Sequence, residues 1–233
     1  MALTLTNIPR IMRRNGWGNG ARLMDIWFSR APTVMPAYGP ADTATIRMDA
    51  WALTFARARA VYDAIISDRI WANAPAQARI ATVFRTRGLL AAAPTLFDDT
   101  AGPPDGVHDR HVNFRKVDQT NVMSIDDMDA ALANFALYVV IGGTAAPDSG
   151  RHRVTIQTVG VYVMDSYDFN GSQDLGYWND STNEASTWNP LVGDPVTNAT
   201  FRSWRTANGR GGDFRVFSDI KVTRLAAADT FLV

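Results

Sequence analysis

The chain contains no cysteine. Disulfides and zinc–thiolate sites are therefore excluded, and the fold must be held by packing, hydrogen bonds and ion pairs. Net charge is missing too, because 23 Lys and Arg balance 23 Asp and Glu. A dedicated nucleic-acid binder carries a broad basic field, so this balance argues against one. No apolar run approaches the roughly 20 residues of a membrane-spanning helix. The opening residues, MALTLTNIPRIMRRNG, lack the apolar stretch of a signal peptide, so export of this chain would need a machine to carry it. The lack of cysteine suits a cytosolic protein and equally one delivered into a periplasm. Glutamate is reduced to Glu184, which reads as solvent-facing.

What the chain does have is core-forming material: 46% hydrophobic residues and seven tryptophans in 233 residues. With no obvious linker, this reads as one α+β domain over 1–233, mainly helical in 1–95 and mainly β in 110–233. The N-terminal helices are expected to pack on a C-terminal antiparallel sheet or open β-barrel.

Asn7-Ile8-Pro9 reads as a helix start, and Gly16-Trp17-Gly18 as its end. Asn19 is expected to cap a second helix, Gly20 to Arg30. Asp49 is expected to start a third, with Trp51, Phe55, Tyr62, Ile65 and Ile66 at helical spacing as a core stripe. Asn73-Ala74-Pro75 opens another that ends near Gly88. His108 and His111 follow a turn cluster at a metal-like spacing, which surface-loop histidines show as well. Ser124 is expected to cap a short helix whose acids, Asp126, Asp127 and Asp129, suit its N-terminal dipole.

Phe135 to Ile141 reads as a central strand ended by Gly142-Gly143. After a turn at Ala145 to Gly150, Arg151 to Met164 pairs back as an antiparallel partner. Val159, Val161 and Val163 share one parity, while Val154 and Ile156 have the other, which predicts a bulge near Thr158 to Gly160. Asp165 continues the parity of the valines, so an apolar face ends in an acid at the rim of a core. Such a carboxylate must be paired, hydrogen-bonded or metal-bound, or its pKa rises. Gly171 to Val196 reads as a long loop holding Tyr177, Trp178 and Trp188, either a functional lid or binding loop or one that its tryptophans simply pin down. Asn198 is expected to cap a helix, Phe201 to Asn208, and Phe214 to Thr223 alternates as a strand.

Asp165-Ser166-Tyr167-Asp168-Phe169-Asn170 resembles the Asp-x-Tyr-Asp-x-Asn core of the colicin M toxin domain. That resemblance implies metal-dependent cleavage of a lipid-linked peptidoglycan precursor at its pyrophosphate linkage. Where those toxins carry a His-Arg pair, this chain reads Asp174-Leu175. Over nearly the whole chain, GVYVMDSYDFNG, LGYW, FRSWR, GRGGDF and FSDIK are similar to an uncharacterised proteobacterial domain family often encoded near type VI secretion genes. This implies an antibacterial effector made in the cytoplasm and delivered to a target cell's periplasm. It equally implies a non-catalytic accessory, an adaptor or an immunity-like binding partner.

Together these features predict a phosphate-handling site. Asp165 and Asp168 are hard oxygen donors suited to a divalent cation such as magnesium. Arg202, Arg205 and Arg210 are candidates to stabilise developing charge, because guanidinium binds phosphate oxygens in bidentate fashion. Tyr167 would orient a phosphate or donate a proton, and Asn170 completes the motif. Gly211-Gly212-Asp213 reads as an anion-binding backbone nest or, alternatively, as a strand-entry turn. Trp178 is a substrate-binding candidate. Without the histidine, leaving-group protonation falls to another residue, with His152 and His111 the candidates. The competing expectation is that Asp165 and Asp168 form a buried ion-pair network with the three arginines and catalyse nothing.

Overall fold

The structure is a computed structural model that describes residues 3–119 and 125–233. The cap expected at Ser124 lies outside the described residues. In chain order the elements are α1 (Ile8–Arg14), α2 (Gly18–Ser29), β1 (Gly39–Asp42), α3 (Ala56–Ser67), α4 (Ala74–Thr86), β2 (Thr95–Asp98), α5 (Pro104–Val107), β3 (Asn113–Val117) and α6 (Asp127–Leu132). Then come β4 (Phe135–Asp148), β5 (Arg151–Tyr167), β6 (Asp174–Asn179), β7 (Glu184–Ser186), β8 (Asp194–Thr197), α7 (Asn198–Asn208), β9 (Phe214–Phe217) and β10 (Lys221–Leu232). The fold is α+β: β2 with β4, β4 with β5, β5 with β10, and β6 with β7 and β8 pair antiparallel, while β1 runs parallel to β9.

The chain divides into two compact units, each made of three separated segments. The first holds Met1–Thr45, Asp118–Phe135 and Asp165–Val216; the second holds Ile46–Val117, Ala136–Met164 and Phe217–Val233.

The second unit is organised by the β4–β5 hairpin, paired from Ala136↔Met164 to Asp148↔Arg151. Its turn is Ser149-Gly150, with φ of 48° and 83°. Two positive φ values are what a tight hairpin turn matched to strand twist requires. β4 does not stop at Gly142-Gly143 as expected. Those glycines let it run close past its partner: a Cβ on Gly143 would stand 1.9 Å from the Thr155 carbonyl. The expected bulge is present one residue earlier, at Gln157, where Gly142 pairs Thr158 and Gly143 pairs Ile156. It flips the inward parity, so Val154 and Ile156 are as fully buried as Val159, Val161 and Val163. β2 pairs with β4 and β10 with β5.

Two boundaries depart from the sequence pattern. α3 begins at Ala56 rather than Asp49, because the Asp49 carboxylate is held 2.7 Å from Lys221 Nζ and the Met48 N–H donates to Asp219 at 2.7 Å. The strand expected over Phe214 to Thr223 breaks at Ser218, whose hydroxyl accepts the Val163 N–H at 2.8 Å. α4 follows its sequence: Asn73 Oδ1 accepts the Ala76 N–H at 3.0 Å, and Ile80 and Phe84 are buried.

The first unit is built on an aromatic core. Trp27 packs edge-to-face on Phe28, Phe169 and Phe201, while Phe28 meets Trp204. The acids at the start of α6 serve as caps. Asp126 and Asp129 form a reciprocal capping box, and Asp127 reaches the first amides of α2, Asn19 and Gly20, at 2.9 and 3.0 Å. α7 is capped by Thr197 with Thr200, not by Asn198. Gly171 to Val196 is not a long loop but contains β6 between β7 and β8, a three-stranded sheet. Gly176 (φ 87°) allows it, since any Cβ there would meet the Ser186 carbonyl at 2.5 Å.

Candidate functional site

The buried valines of β5 belong to the second unit, and the strand ends at Tyr167. The next residues are pinned by their rings. Phe169 stacks flat on Phe201 with centroids 3.8 Å apart, and Tyr167 stacks on Phe214 at 5.2 Å. With the two rings fixed in the core, the backbone between them is fixed as well.

This segment walls a cavity of about 580 Å³, lined by all six residues from Asp165 to Asn170. The other walls come from α1, α6 and the small sheet. Ile8, Met12, Met24 and Leu175 give one part of the lining an apolar character, and Asp129 and Asp174 add two further acids. Trp178 is there too, buried, with its indole N–H donated to the Leu175 carbonyl at 2.8 Å. Asp174 and Leu175 stand in the lining at the positions where the colicin M-like pattern has His-Arg. Among the described residues, no Lys, Arg or His lines this cavity.

The two motif acids differ in environment. Asp168 Oδ1 accepts both the backbone N–H of Asn170 at 3.1 Å and its side-chain amide at 2.9 Å. Asp165 keeps some surface on the cavity, but the surrounding protein strips its carboxyl of bulk water. Burial therefore pushes its pKa up to about 8; the Ser166 N–H pulls it down and the Asp168 charge adds to the rise. Burial also holds the Tyr167 hydroxyl well above its ordinary range, so it is neutral and a hydrogen-bond donor.

The three arginines are elsewhere. Arg202 donates to the carbonyls of Phe169 and Gly171, both at 2.7 Å, clamping the motif backbone from outside the lining. Arg205 forms a buried ion pair with Asp213, and Arg210 is exposed. Neither Asp165 nor Asp168 pairs with any of them, so the expected ion-pair network is not formed either.

The Gly211-Gly212 nest does not exist as an anion site. The amides of Gly211 and Gly212 donate to the carbonyls of Arg30 and Trp27 at 3.0 and 3.1 Å, satisfying the end of α2. Asp213 is fully buried and accepts from Trp27 Nε1 at 3.0 Å and the Met35 N–H at 3.2 Å, besides Arg205. It is a structural hub, not a substrate contact.

None of the three histidines lines the cavity. His152 Nε2 sits 3.0 Å from the Ala91 carbonyl, His111 Nδ1 donates to the His108 carbonyl at 2.6 Å, and His108 Nδ1 meets the Tyr162 hydroxyl at 3.0 Å.

Sequence reasoning missed the α6 wall, Asp174 and Asn198. Asn198 is buried and donates its amide to the Asn170 carbonyl. Its only sequence signal was a place next to a helix start, which pointed to a cap.

Among the described residues, no three His, Cys, Asp or Glu side chains cluster as a metal-holding group. A magnesium ion needs only one or two protein carboxylates when substrate phosphates supply other ligands. Asp165 and Asp168, with the Asn170 amide oxygen, are hard oxygen donors lining the same cavity, while the Ser166 hydroxyl pairs with the Tyr38 hydroxyl at 2.8 Å.

The model of a family of unknown function, DUF6402, matches residues 3–190 and 190–232. No curated protein and no solved structure matches the chain.

Proposed function

We propose, from the premise that the chain belongs to the DUF6402 family of unknown function, that it hydrolyses a phosphoester or pyrophosphate linkage in a lipid-linked envelope precursor. The observation that carries this reading is that Asp165, Tyr167, Asp168 and Asn170 all line one cavity whose other walls are partly apolar. Such a lining suits an amphiphile, with its polar linkage against the acids and its aliphatic part against Ile8, Met12 and Met24.

Asp165 and Asp168 would hold the divalent cation. Bound there, such an ion supplies Lewis-acid polarisation of a phosphoryl oxygen and lowers the pKa of a bound water. The chain's own residues orient the site. Asn170 fixes the rotamer of Asp168 through two hydrogen bonds. Arg202 holds the carbonyls on either side of Asn170, so the motif cannot relax away from the substrate. Tyr167, kept neutral, is a donor to a phosphoryl oxygen and not a base. Because the described lining holds several carboxylates and no basic side chain, a phosphate is repelled unless the cation is present.

That dependence makes the reading testable. Purified protein is incubated with lipid-linked peptidoglycan precursor and magnesium, and release of the phosphorylated head group is followed by chromatography. Hydrolysis abolished by chelation, and by Asp165→Ala or Asp168→Ala variants with wild-type circular dichroism, supports the proposal. Intact precursor under all conditions overturns it. Periplasmic expression is the cellular arm: lysis lost in the same variants is expected, and harmless expression favours the accessory or immunity-like alternative. Hydrolysis that survives chelation would transfer the chemistry to the protonated Asp165 as proton donor, a second reading favoured by its raised pKa.

A further inference from the structure

Trp188 and Leu191 stand out of the turn between β7 and β8, 56% and 92% exposed. Pro190 between them is exposed as well, and no charged residue occurs from Ala185 to Gly193. The turn is not loose. Ser186 Oγ accepts the N–H of Asn189 at 3.1 Å, and Asn189 Oδ1 accepts that of Leu191 at 3.0 Å. Asn179 donates its amide to the Val192 carbonyl at 2.8 Å. Gly193 packs so closely on the Trp178 backbone that a Cβ would lie 2.2 Å from its carbonyl. An apolar tip held this way loses little conformational freedom when it inserts into something.

Its position narrows what that is. Thr187, the residue before Trp188, lines the cavity, so the tip stands at the cavity's rim. Two or three side chains fall far short of the roughly 800 Å² per partner of a stable protein interface. They suffice for shallow insertion into lipid, where tryptophan, apolar in body and polar at its N–H, prefers the interfacial layer. Glu184 and Asp194 flank the tip, both exposed, and would repel anionic head groups. The attraction is therefore apolar and insensitive to salt.

We propose that the Trp188–Leu191 turn is a membrane-surface anchor that sets the cavity rim against a lipid bilayer. This deepens the function proposed above and rests on it only for what the cavity then receives; anchoring itself is measured without turnover. One apolar turn gives weak, reversible association, as single lipid chains do.

The test is cosedimentation of the full chain with sucrose-loaded phosphatidylcholine vesicles, together with quenching of tryptophan fluorescence by brominated lipid. Expected are partial binding unaffected by added salt, quenching lost in Trp188→Ala, and binding reduced about tenfold in Leu191→Asp. A wild-type chain that stays in the supernatant, or a Leu191→Asp variant that binds equally well, overturns the anchor. So does binding that requires anionic lipid and vanishes in salt, or concentration-dependent self-association that buries Trp188 with no vesicle binding. Leu191→Asp should still hydrolyse a detergent-solubilised precursor, whereas Asp165→Ala should lose hydrolysis yet bind vesicles normally. The two proposals therefore fail separately.

Discussion

Arg205 is spent on Asp213, eight residues further along, and not on the acids of the cavity. The pair is interior, with side-chain exposures of 7% and 0%, and the guanidinium also lies over the Trp27 ring at 5.1 Å. Asp213→Ala would strand that cation and orphan Trp27 Nε1 and the Met35 amide. Breaking one partner of a buried pair costs about 3–5 kcal/mol. Urea denaturation should show a loss of that size; a loss under about 1 kcal/mol would contradict the hub assignment.

Gly211 makes a separate prediction. Its φ is 97°, and a Cβ there would meet the Trp27 ring at 2.5 Å. Gly211→Ala should therefore destabilise the first unit by about 2–4 kcal/mol, strain and clash together, although the residue is no part of the cavity lining. Thermal unfolding measures it. A neutral effect would mean that Trp27 has room to move.

Asp165 should write its pKa into the pH dependence of stability. In the unfolded chain an aspartate ionises near about pH 4. Folded, Asp165 holds its proton to about 8. Across that window the folded state binds more protons, so this group's contribution is complete below it and lost as pH rises through it. Asp165→Asn stays uncharged and lacks the slope. The variant should be the more stable protein at about pH 9, by a few kcal/mol at most because the carboxyl still meets cavity water. Parallel melting curves for both proteins across this range would refute the buried-acid description.

Arg202 acts on the site through the backbone. Arg202→Ala frees the carbonyls of Phe169 and Gly171 and should cost about 1–2 kcal/mol of stability. The effect on hydrolysis should be larger, about tenfold or more in kcat with little change in KM, since positioning and not binding is lost. Arg202→Lys, keeping one donor, should recover part of it. Equal losses in kcat and in stability for both variants would reduce Arg202 to a structural role.

Much of the architecture was legible one residue at a time. The parity switch between Ile156 and Val159 announced the bulge, because a strand that buries both stretches on one face must insert a residue between them. Asn73 announced α4, since a cap and a proline in the first turn act locally. The acids of α6 were correctly attributed to helix ends. Asp49 misled because its pattern was locally sufficient for a helix start, and the winning partner, Lys221, lies 172 residues away. The stretch from Gly171 to Val196 misled for the opposite reason: its short strands carry few β-branched residues and pair through glycines that allow close backbone approach.

The amino-acid order alone excluded thiol chemistry and a spanning helix, set the Asn73 cap of α4 and the central hairpin, and marked Asp165 to Asn170 as the stretch to watch. Folding decided how the charges were allotted. It enclosed both motif acids in one cavity, gave Arg205 to Asp213, turned Arg202 onto backbone carbonyls, and used the amides of Gly211 and Gly212 to finish α2. Periodicity records which face of an element meets the core, because burial is a property of each residue and its near neighbours. Which distant carboxylate a guanidinium meets is written in no local pattern; it follows from where the packed elements bring those side chains together, and each buried charge must find a partner among what arrives there.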